Sequence, residues 1–384
     1  MKKFVILLIL LMLASPVLAQ ENWNEAFTFI IAADMREYAS EEYHGDSRYF
    51  WGACEAIKEV GKGAFMVSPG DIDPPGAVRN VITQVLGEDY PWYPVIGNHE
   101  IEDRSFVEYL RQYNKDGKAL PNLVRSGPPG CEETTYSFDW ANCHFIALNE
   151  YYDGKSDIGT DGDIVPELLD WLKQDLAANK KRHVFVFGHE PIMPMPDMDN
   201  GRVRHLDNSL NKYRINMIRF HKLMREHDVV AYSCGHTHGT SVCKINGLWQ
   251  LDAGHARGIE DESGPERLFN YITNAYQEGQ NLGLTKEQAL TSIYNKKKKK
   301  IDNLFSMSGI ETDSVINTLA QFYLDYQENP ELKENYVQTF WKNTDYGKSS
   351  FLKIYAGKDK VKVEVYRNDG HGGPYSLTYS EILE

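Results

Sequence analysis

The stretch "VVAYSCGHTH", residues 229–238, decides how this chain is read. A short apolar run stops on a glycine and two histidines spaced by one residue. Alone, such a turn is more often a polar loop than a metal site. The reading changes because five other apolar runs end in the same manner. They are "FTFIIAAD" at 27–34, "GAFMVSPGD" at 63–71, "WYPVIGNHE" at 92–100, "CHFIALNE" at 143–150 and "HVFVFGHEP" at 183–191. Short, nearly continuous runs rich in Val, Ile, Phe and Ala suit strands buried on both faces by helices. Between two of them, "IVPELLDWLKQDLAANKK" carries Leu168, Leu169, Leu172 and Leu176 on one side of a helix. The expectation is an α/β fold, a four-layer αββα sandwich.

The polar residues that end these runs form the candidate site. They are Asp34, Asp71, Asn98 with His99, His189, and His236 with His238. Open α/β sheets place ligand sites at strand ends, so five scattered segments can converge. Mixed oxygen and imidazole donors suit zinc, manganese or iron rather than a thiolate site. A carboxylate in the middle of the set, Asp71, can bridge two ions, and a two-metal clamp serves in-line phosphoryl displacement.

Composition narrows the function classes. Residues 1–19, "MKKFVILLILLMLASPVLA", have a basic start, an apolar run and small residues at the end, which reads as a secretory signal peptide cut after Ala19. No later segment reaches the roughly 18 apolar residues of a membrane span. The expected location is secreted or periplasmic. The formal charge of −14, falling to about −16 without Lys2 and Lys3, argues against nucleic acid as partner. Five cysteines follow the signal, Cys54, Cys131, Cys143, Cys234 and Cys243, an odd number that leaves at least one thiol unpaired. Cys131 with Cys143 and Cys234 with Cys243 are local bridge candidates; small buried thiols are the competing reading.

Along the chain, residues 20–262 read as the catalytic domain, 263–345 as an all-helical insertion and 346–384 as a C-terminal β-hairpin completing that domain. Thr285 and Gln288 have the spacing of a capping box, and the lysine run 296–300 reads as a solvated helix end. The alternation in "FLKIYAGKDKVKVEVYRN", residues 351–368, around Gly357-Lys358 reads as the hairpin.

The motifs "GD", "GNHE", "GHE" and "GHTH", in this order, resemble the calcineurin-like metallophosphoesterases. The segments "TTYSFDWANCHFIALN" and "LDWLKQDLAANKKRHVFVFGHEP" are most similar to the secreted, purple-acid-phosphatase-like branch. The resemblance covers roughly residues 27–258 and the last hairpin, and leaves the insertion out. It implies two divalent or trivalent ions (zinc, manganese or iron) and a metal-bound hydroxide attacking a phosphate ester in line, with monoesters favoured. Asp71 would bridge the ions; Asn98, His189 and His236 would complete one site, with Asp34 and His238 at the other. His99 would be the leaving-group acid, oriented by Glu100.

One position departs from the pattern. The family's first motif is Asp-x-His, and here it is Asp34-Met35-Arg36. Arg36 offers no lone pair to a metal. The tyrosine of the purple variant is also missing, since Pro74 stands three residues after Asp71. Three readings stand: a stand-in ligand such as Asp73 or His255 completes the site, the ion loads only with substrate, or Arg36 holds a phosphate oxygen. Only one ion need then be tightly bound. The rival function is a binding or scaffold protein that has kept the fold and lost turnover. His205, Arg202 and Arg204, in a polar loop after "GHEP", are candidates for substrate contact, while His44, His144, His183, His221, His227 and His371 read as structural or surface. Small-molecule and macromolecular phosphate esters are both open as substrates, and nothing in the composition sets an oligomeric state.

Overall fold

The computed structural model describes residues 23, 26–40, 49–198, 201, 203–257, 279–285, 288–289, 291–292, 295, 348–368 and 374–384. The signal-like segment, Arg202, His44, His371 and most of the expected helical insertion lie outside them. Within the insertion, Thr285 and Gln288 do cap reciprocally. The Thr285 N–H donates to Gln288 Oε1 at 2.9 Å and the Gln288 N–H to Thr285 Oγ1 at 3.2 Å.

The chain first lays down β1 (Phe27–Ile31), β2 (Met66–Pro69) and β3 (Trp92–Val95) as parallel neighbours. It then builds a second sheet from β4 (Leu123–Ser126), β5 (Tyr136–Trp140), β6 (Cys143–Ala147), β7 (His183–Phe187), β8 (Ala231–Cys234), β9 (Thr240–Ile245) and β10 (Leu248–Ala253), in the order β4-β5-β6-β7-β8-β10-β9. Finally it returns to the first sheet with β11 (Ser350–Ala356), β12 (Val361–Arg367) and β13 (Ser376–Ile382), giving β13-β12-β11-β1-β2-β3. Helices α1 (Phe50–Val60) and α2 (Pro75–Leu86) cross between the parallel strands of the first sheet, α3 (Asn98–Glu102) and α4 (Arg104–Tyr113) follow β3, and α5 (Pro166–Ala178) and α6 (Arg214–Glu226) serve the second sheet.

Period-two alternation sorts the side chains into layers. Phe29 and Ile31 of β1 point between the sheets with Val67, Phe145, Phe185, Leu251, Leu352 and Val363. Ile30 points the other way, under α1 and α2, with Met66, Trp92, Ile57 and Val78. On the far side, Ile146, Val184 and Tyr232 pack beneath Leu168, Leu172 and Leu176 of α5 and Phe220 of α6. These three cores separate four layers, αββα, as the strand pattern requires. All six apolar runs are strands, and the expected hairpin is β11–β12, paired antiparallel in full register.

One feature differs from the sequence reading, one decides between its alternatives and one agrees with it. The C-terminal region has a third strand, β13, whose largely exposed side chains leave no apolar run to see. The five cysteines are all free thiols, Cys243 half-buried and the others buried. Burial, not a bridge, disposes of them, and it lifts the Cys131 thiol to about 12. His144 and His183 are structural, as expected. His144 is held by Asp139 at 2.7 Å and Asp175 at 2.8 Å, tying β6 to α5, and His183 meets the C-terminal Glu384 at 2.7 Å.

Phe145 is the hub of the central core. Its ring lies 4.8 Å from Phe138, 5.1 Å from Phe29, 5.1 Å from Phe65 and 5.4 Å from Phe185. Phe145→Ala should therefore destabilise the protein by about 3–5 kcal/mol in urea unfolding. A loss below about 1 kcal/mol would mean that the two sheets are not clamped here.

Candidate metal centre

Five parallel strands deliver the site. β1 leads to Asp34, β2 to Asp71, β3 to Asn98, β7 to His189 and β8 to His236, each two or three residues beyond the strand. The backbone is bent sharply to do so. Asp34, Asp71, His236 and His238 have φ of 55°, 51°, 70° and 57°, in the left-handed region that costs a non-glycine residue about 1–3 kcal/mol. Arg36 and His205 share it, at 51° and 58°. Strain of this kind persists only where surrounding contacts enforce it. Glycines make room for the approach: a Cβ on Gly70 would strike the His189 ring, and one on Gly97 the backbone nitrogen and carboxylate of Asp71.

Two buried carboxylates act as braces beneath the loops. Glu100 accepts the N–H groups of Asp71 at 3.0 Å, Ile72 at 2.8 Å and Gly97 at 2.6 Å. Glu150 accepts those of His189 at 2.8 Å and Glu190 at 2.6 Å, and the Tyr232 hydroxyl at 2.6 Å. Burial pushes Glu150 up to about 7, against the pull of those donors. The sequence leaves Glu150, Tyr151 and Tyr152 open between the mouth of the site and a solvated loop; the structure buries all three. Glu100 departs from its expected role: all its bonds are to backbone, and the carboxylate on His99 is Glu102, whose Oε2 takes the Nδ1 side at 2.9 Å. Both Glu100 and Glu102 follow His99 closely in sequence; helical spacing puts the second within reach and the first beneath the turn.

The polar ends then meet. His189 donates from Nδ1 to the Pro69 carbonyl at 2.8 Å, which leaves a lone pair on Nε2. That Nε2 lies 3.1 Å from Asn98 Oδ1 and 3.3 Å from Asp71 Oδ1. His236 Nε2 sits 3.2 Å from the Asn208 carbonyl and 3.1 Å from Glu190 Oε2, both acceptors, so the proton is there. Its Nδ1 lone pair faces Asn98 Oδ1 at 3.0 Å. Burial disfavours the imidazolium in both rings, and holds His236 down to about 2. Four acceptor atoms thus converge, and the donor among them is the His99 N–H, at 3.1 Å from Asp71 Oδ1. A cation fits this donor set: one carboxylate oxygen, one amide oxygen and two imidazole nitrogens.

The other side of Asp71 is different. Asp34, Asp71 and His189 bring ligand atoms within 4.8 Å of one another, and burial, then Asp71 and Asp252, lifts Asp34 well above the usual carboxylate range. His238 Nε2 lies 3.5 Å from Asp34 Oδ1. Its Nδ1, however, is met by guanidinium donors of Arg204 and, at 3.1 Å, Arg257. Arg36 forks onto Asp73, with Nε at 3.3 Å and an amino nitrogen at 3.5 Å. Asp73 thereby commits both oxygens to Arg36, and His255 lies buried with its ring centre 6.0 Å from that of His238. His205 stacks on His236 at 4.0 Å, so its loop does reach the site. Arg257 and Glu190 were not singled out from sequence. Glu190 was in plain view beside His189; nothing in "GHARG" marks Arg257.

The calcineurin-like phosphoesterase family model matches residues 27–240. The chain is 26% identical over 200 residues to tartrate-resistant acid phosphatase type 5 of Rattus norvegicus, and equally to that of Mus musculus. These matches cover 50% of this chain and 53% of each relative, so it spans about half the length of the curated relatives it matches. The solved structure of PhoD is similar over 93% of this chain and 69% of that one, at 12% identity and a TM-score of 0.47.

Removing the Glu100 brace strands three backbone donors in a buried site. Glu100→Ala should cost about 3 kcal/mol or more in urea unfolding, since each unsatisfied group costs about 1–3 kcal/mol. An unchanged midpoint would show that these N–H groups find other partners.

Proposed function

The chain belongs to the calcineurin-like phosphoesterase family, and from that premise we propose that it is an exported hydrolase of phosphate esters, monoesters before diesters. The observation that carries this reading is the convergence of buried Asp71 Oδ1, His189 Nε2 and His236 Nδ1 with half-buried Asn98 Oδ1, beside a histidine with its own carboxylate. The name of the curated relatives, acid phosphatase, favours monoesters. The signal-like first nineteen residues favour export.

Those four atoms would hold the ion. When bound, it supplies positive charge that brings the pKa of water toward neutrality and polarises a phosphoryl oxygen. The protein's own part is to fix ligands and move a proton. The Pro69 carbonyl sets the tautomer of His189, and Asn208 with Glu190 sets that of His236. Glu102 holds the His99 ring by Nδ1, and His99 Nε2 lies 3.7 Å from Asp71 Oδ2, at the rim of the cluster. A proton on that Nε2 is placed to pass to the leaving-group oxygen. No residue needs to be phosphorylated on the way.

The test is hydrolysis of an aryl phosphate by the mature protein with zinc or manganese. Chelation or Asn98→Ala should lower kcat/KM by about a hundredfold or more, since even outer-sphere partners of such ligands are worth about 10–100-fold. His99→Ala should lower kcat by about 100-fold or more with metal content unchanged. Full activity in metal-free protein would contradict the reading. Bound metal with no turnover on any ester would favour the scaffold protein instead.

A further inference from the structure

We propose that this chain is a one-metal variant of its family, in which the guanidinium groups of Arg204 and Arg257, set behind His238, deny a second cation that ligand and supply donors for a phosphoryl oxygen of the substrate. The proposal rests on the phosphoesterase reading above and departs from the two-ion arrangement that the resemblance implies.

The decisive contact is at His238. An arginine only donates hydrogen bonds. With Arg204 and Arg257 both directed at Nδ1, that nitrogen must offer its lone pair. The ring's proton therefore sits on Nε2, facing Asp34 Oδ1 at 3.5 Å. The nitrogen that points toward the carboxylates has no lone pair to give. A ligand histidine requires the opposite tautomer, with an acceptor behind it, as Pro69 provides for His189 and Asn208 for His236. The ring thus has an acceptor behind it at His189 and at His236, and a pair of cations behind it at His238.

The neighbours agree. Arg36 stands where the motif has its other ligand histidine, and Asp73, the nearest replacement carboxylate, is engaged by that arginine through both oxygens. Arg257 is almost fully buried and lies 4.9 Å over the Tyr38 ring, a fixed placement rather than a solvent-facing one. Asp34 then keeps a different task. It accepts the His236 N–H through both oxygens, at 3.2 and 3.1 Å, and so steadies the turn that presents the ligand His236. Guanidinium groups bind phosphate through paired, charge-assisted hydrogen bonds, so they can take up the charge that a second ion would have neutralised.

The test begins with the mature wild-type protein, loaded with excess zinc, desalted and analysed for metal, and then crystallised for anomalous scattering. The expected result is one ion per chain, among Asp71, Asn98, His189 and His236. Two ions per chain, or one ion lying against His238, would overturn the proposal while leaving the phosphoesterase reading intact. No bound metal would remove both. On the zinc-loaded protein, Arg204→Ala and Arg257→Ala should each weaken binding of inorganic phosphate by about tenfold or more, because each removes a charge-assisted donor. Unaltered phosphate affinity in both, with the ion still in place, would overturn the assignment of the arginines. The triple variant Arg36→His with Arg204→Ala and Arg257→Ala removes both donors from His238 Nδ1 and restores the motif, and its zinc content should rise above one per chain; a count that stays at one would also count against the proposal.

Discussion

Asp71 Oδ1, Asn98 Oδ1, His189 Nε2 and His236 Nδ1 face one another at a largely buried rim, where the His99 N–H on Asp71 Oδ1 is the donor they have. Acceptors in that position repel, and each one left unsatisfied costs about 1–3 kcal/mol. The turns that carry them add strain at Asp71 and His236. Binding of a divalent ion, which for structural zinc reaches about 10 kcal/mol or more, is large enough to offset both. The pocket is therefore arranged at the expense of the empty state, and the remaining features can be understood as devices that keep it so.

Those devices are layered. The double sandwich brings the carboxyl ends of five parallel strands, three from one sheet and two from the other, to a common rim. Glu100 ties the turn after β2 to the turn after β3, and Glu150 ties the turn after β6 to the turn after β7. Carbonyls of Pro69 and Asn208 then decide which imidazole nitrogen looks inward. Each brace is a buried acceptor paired to backbone N–H groups, so the ligands are aimed by main chain and do not depend on surface contacts. Arginines around His238 give the adjoining position the opposite character, cationic and rich in donors. The boundary between the two runs through Asp34 and Asp71.

Much of this was legible in the sequence because the signals are local. Buried strands appear as apolar runs, and the Asp, Asn and His residues that end them stand out against the glycines beside them. The αββα layering and the members of the cluster follow from those two patterns. What escaped was set by contacts between distant segments. Glu102 rather than Glu100 holds His99 because one helical turn, not sequence adjacency, governs which side chain reaches the ring. Glu150 reads as a loop residue because its partners lie on β8 and in the turn after β7. Arg257 carries no motif, and its meeting with Arg204 at His238 joins positions 53 residues apart. The exposed edge strand β13 was missed because it has no apolar run, and of the two readings of the cysteines the buried thiols hold, since spacing says nothing about which face of a strand a thiol occupies.

The central claim, that the buried acceptor cluster is a cation site and is destabilised without one, is tested most directly by thermal unfolding of chelated protein titrated with zinc. The account predicts a midpoint that climbs steadily with zinc concentration, since a ligand held only by the folded state adds about 4 kcal/mol at a thousand times its dissociation constant. It also predicts that Asn98→Ala flattens the climb. A midpoint indifferent to zinc, in protein shown to be metal-free at the outset, would contradict it.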